Sequence, residues 1–172
     1  MPDWASIVRQ HGPMAFQTAW HILGHVQDTE DAVQDALLEA LRAFRRGEVR
    51  NWGGLLRQAT TCRALDRLRQ RRRTTMIPGN TPTRVVETPH NVAEARELAE
   101  WLRGVLAELP ERQAQVFTMS CFSGLSNSEI AAALGITAGA VAMALHQARA
   151  TITERHKSFA AIRGASEYER AR

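Results

Sequence analysis

The sequence predicts an all-α protein of two small helical domains joined by a flexible linker. Three observations carry that expectation. Apolar residues recur at helical spacing over about residues 4–73 and again over about residues 92–155. Between them, TTMIPGNTPTRVVETPHN holds three prolines, a glycine and several threonines, a composition that neither continues a helix nor builds a strand. Residues 109–149 space their small and apolar side chains as two crossing helices require. The expected boundaries are a first domain at 1–73, a linker at 74–93, a second domain at 94–155 and a polar, frayed tail at 156–172 with at most one short helix. Each domain would bury only about 60% of its unfolded surface and be modestly stable alone.

In the first domain the helical pattern breaks at Arg46-Gly47 and again at Gly53-Gly54. The stretch DTEDAVQDALLEALRAF puts Val33, Ala36, Leu37, Ala40, Leu41 and Phe44 on one helical face. The opposite face shows Asp31, Gln34, Asp35, Leu38 and Glu39. An acidic face with one exposed leucine suits docking of a basic partner helix. The plainer alternative is a solvated face, and Asp28, Glu30 and Asp31 also suit the positive end of a helix dipole.

Charge then inverts. Residues 50–75 carry Arg50, Arg57, Arg63, Arg67, Arg69, Arg71, Arg72 and Arg73 against the single acid Asp66, a segment charge of +7 in a chain of +4, so the remainder carries −3. Arg63, Arg67 and Arg71 recur every four residues and form a stripe along one side of a helix. Trp52, beside Asn51 and Arg50, supplies an aromatic surface for stacking unpaired bases whose phosphates the arginines would grip. The alternatives are a core or staple role for Trp52 and a solubilising role for the stripe.

In the second domain Ser126 and Glu129 have the spacing of a capping box, and Gly135 sits at a turn that favours a left-handed backbone. Thr137 is the N-cap of the following helix. Ile130, Leu134, Ile136, Val141 and Leu145 form the shared core, with Ala131 small at the closest approach. This is a helix-turn-helix, whose second helix enters a DNA major groove. The alternative is a hairpin that only packs.

Composition agrees. A net charge of +4 and a pI near 10.0 favour a polyanionic partner, and Lys157 is the only lysine among the basic residues. Cys62 and Cys121 are too few for a disulfide framework or a zinc cluster. The N-terminal MPDWASIVRQHG lacks the pattern of a signal peptide, and no apolar run approaches the roughly 20 residues of a membrane span. A cytoplasmic protein with no membrane partner and no cofactor is expected. No P-loop, GxSxG or dinucleotide fingerprint points to an enzyme. His21 and His25 could clamp a metal across one helical turn, but no third ligand lies nearby in sequence.

Both halves, in this order, resemble an extracytoplasmic-function (ECF) sigma factor, the two-domain type of bacterial RNA polymerase sigma subunit. GHVQDTEDAVQDALLEALRAF resembles the acidic helix of sigma region 2, which implies docking on the clamp coiled coil of the polymerase core through Asp31, Gln34, Asp35, Leu38 and Glu39. NWGGLLRQATTCRALDRLRQRRR resembles the segment that melts and reads the −10 element, implying DNA contacts from Arg50, Asn51, Trp52, Arg57, Arg63, Arg67 and Arg71. LPERQAQVF and GLSNSEIAAALGITAGAVAMALHQAR resemble sigma region 4, which implies −35 contacts from Arg112, Thr137, Gly139, Met143, His146, Gln147 and Arg149. The implied partners are the core (clamp coiled coil and flap), promoter DNA and, as a further candidate, an anti-sigma protein. The family's usual Val-Lys-Ser-Arg-Leu run is Val141, Ala142, Met143, Ala144 and Leu145 here, so weaker −35 binding is expected. Cys62 and Leu55 also depart from the asparagine and tryptophan common in relatives. The alternatives are a helix-turn-helix regulator that binds duplex DNA without polymerase, and a sigma-like adaptor with weak or altered promoter recognition.

Overall fold

The computed structural model describes residues 3–47, 49, 51–75 and 90–170. Among these residues the chain forms seven helices: α1 (Trp4–Leu23), α2 (Val26–Arg46), α3 (Trp52–Thr75), α4 (His90–Glu108), α5 (Glu111–Cys121), α6 (Asn127–Leu134) and α7 (Ala138–Arg170). No strand occurs among the described residues, as the sequence pattern predicts.

Helices α1, α2 and α3 form the first unit. The α1 helix starts where the Asp3 carboxylate accepts from the Ser6 amide at 2.6 Å. Its seams are lined with alanine, and Ala15, Ala19, Ala32, Ala36, Ala40 and Ala64 are wholly buried. Such small residues let the three helices approach closely. At one end Trp4, Phe44 and Trp52 pack ring against ring, with Phe44 and Trp52 centroids 5.7 Å apart.

The break expected at Arg46-Gly47 is real: α2 ends there with Gly47 as its cap. The break expected at Gly53-Gly54 is not. Both glycines lie in the first turn of α3, where the Asn51 side-chain oxygen accepts from the Gly54 amide at 2.9 Å. First-turn amides have no intrahelical partner, so a side-chain cap matters more there than helix propensity.

Helices α5, α6 and α7 form the second unit around Val116, Met119, Leu125, Ile130, Ala131, Val141, Ala144 and Leu145, with Leu134 and Ile136 packed against them. The shared core predicted for the helix-turn-helix is therefore present. Two features differ from expectation. The tail is not a separate frayed segment, because α7 runs on unbroken to Arg170. Trp101 of α4 stacks on Phe159 of that extension at 5.3 Å, with His156 against the same indole. The two units also share a core: Ala19, Ile22, Leu23, Ala32, Ala64, Leu65 and Leu68 pack with Val105, Leu106, Leu109, Ala114 and Ala148. The linker expected at 74–93 lies outside the described residues over 76–89 and is helical at both ends.

Candidate nucleic-acid and partner interfaces

The acidic face of α2 and the arginine stripe of α3 meet. Arg67 donates to Asp35 at 2.8 Å and to Asp31 at 3.1 Å, and Arg63 donates to Glu39 at 2.9 Å. Arg71 lies 3.5 Å from Asp28. The helices run antiparallel, so acids at 28, 31, 35 and 39 fall in register with arginines at 71, 67 and 63, forming a charge ladder. The hydrogen bond to Glu39 holds the Arg63 guanidinium above its ordinary pKa. The residues that the sequence divided between polymerase and DNA are thus placed against one another. The outer edge of α2 stays open: Gln34 is exposed, Leu38 is 48% exposed and Asp35 keeps 46% of its side-chain surface.

At the start of α3, Asn51 is the cap described above and Trp52 is half-buried in the aromatic cluster, which matches the staple reading of that indole. Arg50 lies outside the described residues. Arg57 is half-buried, with its Nε out of water and without a hydrogen-bond partner among the described residues. Burial, and then the Arg57 charge, pushes the nearby His11 pKa down. Arg57 also lines a hollow of about 590 Å³ together with Arg46, Asn51, Leu55 and Gln58. The opposite wall of that hollow is Leu125, Ser128, Glu129, Ala132 and Ala133, at and within α6. The remaining arginines of the basic run turn elsewhere. Arg69 donates to the Leu109 carbonyl at 3.4 Å, and Arg72 donates to the Gly104 carbonyl and to Glu108, each at 2.6 Å.

The helix-turn-helix is built as its sequence requires. Ser126 Oγ accepts from the Glu129 amide at 3.3 Å, while Glu129 Oε2 accepts from the Ser126 amide at 2.9 Å and from its hydroxyl at 2.7 Å. Those bonds hold the Glu129 carboxyl below its ordinary pKa. Gly135 ends α6 with φ of 64°, a left-handed conformation that costs a side-chain-bearing residue about 1–2 kcal/mol. Thr137 Oγ1 then accepts from the Ala140 amide at 3.1 Å and starts α7. Thr137, Gly139, Met143, His146, Gln147 and Arg149 are all exposed, and Met143 is 59% exposed. Ala142 is exposed among them, and Arg149 is the one arginine or lysine in this set. Arg112 donates to Gln115 at 3.3 Å at the foot of α5. Gln113, which no motif in the sequence singles out, donates to Gln147 at 3.1 Å and orients it.

The histidines with metal-clamp spacing have structural partners instead. His21 rests on Phe122, and His25 accepts from the Asp28 amide at the start of α2. No group of three or more metal-ligating side chains occurs among the described residues. Cys62 and Cys121 are free thiols, and burial pushes the Cys62 pKa up. Among the described residues no single helix is long and apolar enough to cross a membrane.

A chain that is helical over its described residues and couples an acidic helix and an arginine-rich helix to an exposed helix-turn-helix has the build of a DNA-reading transcription factor. Comparison with known proteins narrows the class. Residues 7–74 match the Sigma-70 region 2 family and residues 99–152 match the Sigma-70 region 4 family. The chain belongs to the sigma-70 family, with the regions and order of an ECF sigma factor. It is 28% identical over 158 residues to the ECF RNA polymerase sigma factor SigE of Mycolicibacterium smegmatis, covering 87% of this chain. The chain spans about 60% of the length of that relative. A solved structure of CnrH in complex with the cytosolic domain of CnrY has the same fold, with a TM-score of 0.61 at 20% identity over 90% of this chain and 88% of that one.

Proposed function

We propose that the chain directs bacterial RNA polymerase core to specific promoters and starts transcription there. The observation that carries this reading is the presence of regions 2 and 4 in one chain and in order, with Met143, His146 and Gln147 of α7 open to solvent. Asp31, Gln34, Asp35, Leu38 and Glu39 dock on the clamp coiled coil, and region 4 meets the flap. Asn51, Trp52 and Arg57, with Arg50, serve the −10 element. Thr137, Gly139, Met143, His146, Gln147, Arg149 and Arg112 serve the −35 duplex. Arg63, Arg67 and Arg71 hold α3 to α2 and contribute to DNA binding only through that placement.

The chain supplies recognition and strand separation in the cytoplasm; polymerase makes the RNA. With Ala142 exposed where relatives carry a charged residue, α7 has fewer phosphate contacts to offer, and Met143 is assigned to thymine methyls. An anti-sigma protein is a further candidate partner, in keeping with a structural neighbour, CnrH, that is solved in complex with the cytosolic domain of CnrY. The deciding experiment is reconstitution with bacterial core and a pool of random promoters, followed by sequencing of the transcribed templates. A shared pair of upstream elements among the transcripts is expected. Templates no more selective than those of core alone overturn the proposal. A helix-turn-helix regulator would instead bind duplex DNA tightly with no polymerase present.

A further inference from the structure

Two polar side chains beside the start of α3 have nothing in the protein to bind. Arg57 is half-buried, yet among the described residues its guanidinium makes no hydrogen bond and no ion pair, and its Nε is shut off from water. The other half-buried arginines of that helix, Arg67, Arg69 and Arg72, each donate to a carboxylate or a backbone carbonyl. A half-buried cation left without a counter-group is costly, so its persistence points to a ligand that supplies the missing negative charge. His11 of α1, which no motif in the sequence singles out, stands beside it. Its imidazole is half-buried and makes no hydrogen bond among the described residues. A neutral imidazole offers one donor and one acceptor nitrogen, and here both are unused.

Gly53 brings these groups together. From the place a Cβ would take on this residue, Arg57 Nη1 is 3.3 Å away, His11 Cε1 3.5 Å and Asn51 Oδ1 3.7 Å. Gly53 is buried beneath them, and a methyl group there would press on the guanidinium. Arg57 also acts on the nearest acid. Across the hollow its charge helps to lower the pKa of Glu129 on α6, although no ion pair joins the two. The other charge on that wall is Arg46 of α2.

We propose that Arg57 and His11, seated together on Gly53, form a phosphate-binding subsite for the backbone of the opened −10 strand. It rests on the sigma-factor reading and adds α1 to the DNA-binding surface. Arg57 supplies the fixed charge, and a ring N–H of His11 donates to a second oxygen of the same phosphate.

The two groups differ in a way an assay can read. Arginine stays charged, whereas histidine titrates near physiological pH. Without DNA, burial and then the Arg57 charge hold the His11 imidazole below its ordinary pKa. A bound phosphate offsets the Arg57 charge and sets an anion beside the ring, so that pKa rises on binding. Binding therefore takes up a proton. The added affinity is complete below the pKa of the free form and is lost as pH rises through that of the bound form.

The test uses the chain assembled with bacterial core on a promoter drawn from the random pool, its −10 region opened in advance by mismatches. Each non-template phosphate across the opening is replaced in turn by a neutral methylphosphonate, and binding is measured between about pH 6 and about pH 8. On the unmodified strand, wild type is expected to bind about three- to tenfold tighter at the acid end; one linked proton changes affinity by at most about tenfold per pH unit. His11→Gln keeps an N–H donor but does not titrate, and it should lose this component. The readout is the difference between the two profiles, in which the other histidines cancel. One methylphosphonate position should remove the same component from the wild type, and Arg57→Gln should weaken binding at every pH. Coincident profiles for wild type and His11→Gln overturn the role of His11. A wild-type profile that no single methylphosphonate alters overturns the subsite, and that arm needs no variant to fold. Millimolar inorganic phosphate that abolishes the pH dependence, with every methylphosphonate position silent, overturns the strand as the ligand. Complexes without promoter selectivity on any template overturn the underlying sigma reading instead.

Discussion

Arg67 is the residue whose role changes most between sequence and structure, and its energetics can be tested directly. Its guanidinium bridges Asp35 at 2.8 Å and Asp31 at 3.1 Å, with 29% of the side chain exposed against 46% for Asp35. Two unit charges about 4 Å apart attract by roughly 1 kcal/mol in bulk water and roughly 4 kcal/mol at an effective dielectric near 20. Side-chain ordering and solvent offset most of that, and exposed pairs usually retain about 0.2–1 kcal/mol. The Asp35–Arg67 rung is half-open to water, so about 0.5–1 kcal/mol of coupling is the expected magnitude. Losing both rungs and the packing of the arginine stem puts Arg67→Ala at about 1–2 kcal/mol of destabilisation, within the usual range for a single substitution.

The assay is a double-mutant cycle on Asp35→Ala, Arg67→Ala and the double variant, by urea denaturation at about 0.1 M salt and again at about 1 M, where the screening length falls to roughly 3 Å. Coupling near 0.5–1 kcal/mol that shrinks in high salt is expected. Strict additivity at low salt refutes the ladder and releases Arg67 to contact DNA. A second arm separates the roles independently. A side chain that neutralises a phosphate of single-stranded DNA lowers the salt slope of binding by about 0.7 when removed. Replacing Arg67 should leave that slope unchanged.

Trp52→Ala removes a ring that holds Trp4 and Phe44 in contact; a loss of about 3 kcal/mol, seen in thermal melts, is expected, whereas Trp52→Phe should keep most of the stability and reveal any open-complex defect by permanganate reactivity. Met143→Arg places a charge at an exposed position on the side of α7 proposed to face the groove; it should tighten duplex binding and steepen its salt slope by up to about 0.9, and an unchanged slope would place this residue away from the DNA backbone. Leu38→Ala should weaken capture of core by about five- to tenfold, from roughly 1 kcal/mol of apolar surface left to bury, while leaving the melting curve almost unmoved. The hydrogen bond from Arg155 holds the Glu108 carboxyl below its ordinary pKa; its stabilising contribution is therefore complete above the unfolded value near 4.5 and fades as pH falls through the depressed folded value, so the fold should lose stability in acid, and Glu108→Gln should flatten that dependence.

The elements whose cause is local are legible in the sequence. Ser126, Glu129, Gly135 and Thr137 define their turns within four residues of themselves, and the structure shows each cap in place. The apolar residues of the helix-turn-helix follow from helical spacing alone. Gly53-Gly54 misleads because two glycines read as a break when nothing in the spacing shows that they occupy a capped first turn. The arginine run is legible as charge but not as contact. Periodicity gives the face of a helix on which Arg67 or Arg72 lies and says nothing of what packs there. The partners are Asp35, 32 positions away, and Glu108, 36 positions away. The union of the two units is hidden for the same reason, since Leu65 and Leu106 read equally well as the cores of separate domains.

If the α2 face docks on polymerase as proposed, the charge ladder shapes how it discriminates partners. Asp31, Asp35 and Glu39 are already neutralised by Arg63 and Arg67, so a basic partner helix does not meet a bare acidic surface. It exchanges one arginine for another, or adds a second donor to carboxylates that still have free lone pairs, and the net electrostatic gain per rung is small. Charge then sets register and rejects acidic partners, while the favourable free energy comes from apolar area. On this face that area is Leu38, the large hydrophobic residue left exposed in the middle of α2 among side chains that have polar partners. Long-range attraction is weakened in the same way, because Arg63, Arg67, Arg71 and Arg72 lie against the acids of α2 and Glu108. The exposed helix-turn-helix face keeps Arg149 as its main charge. The proposed promoter selection should therefore depend on shape and methyl contacts once DNA is held by polymerase, with little steering by the free chain itself.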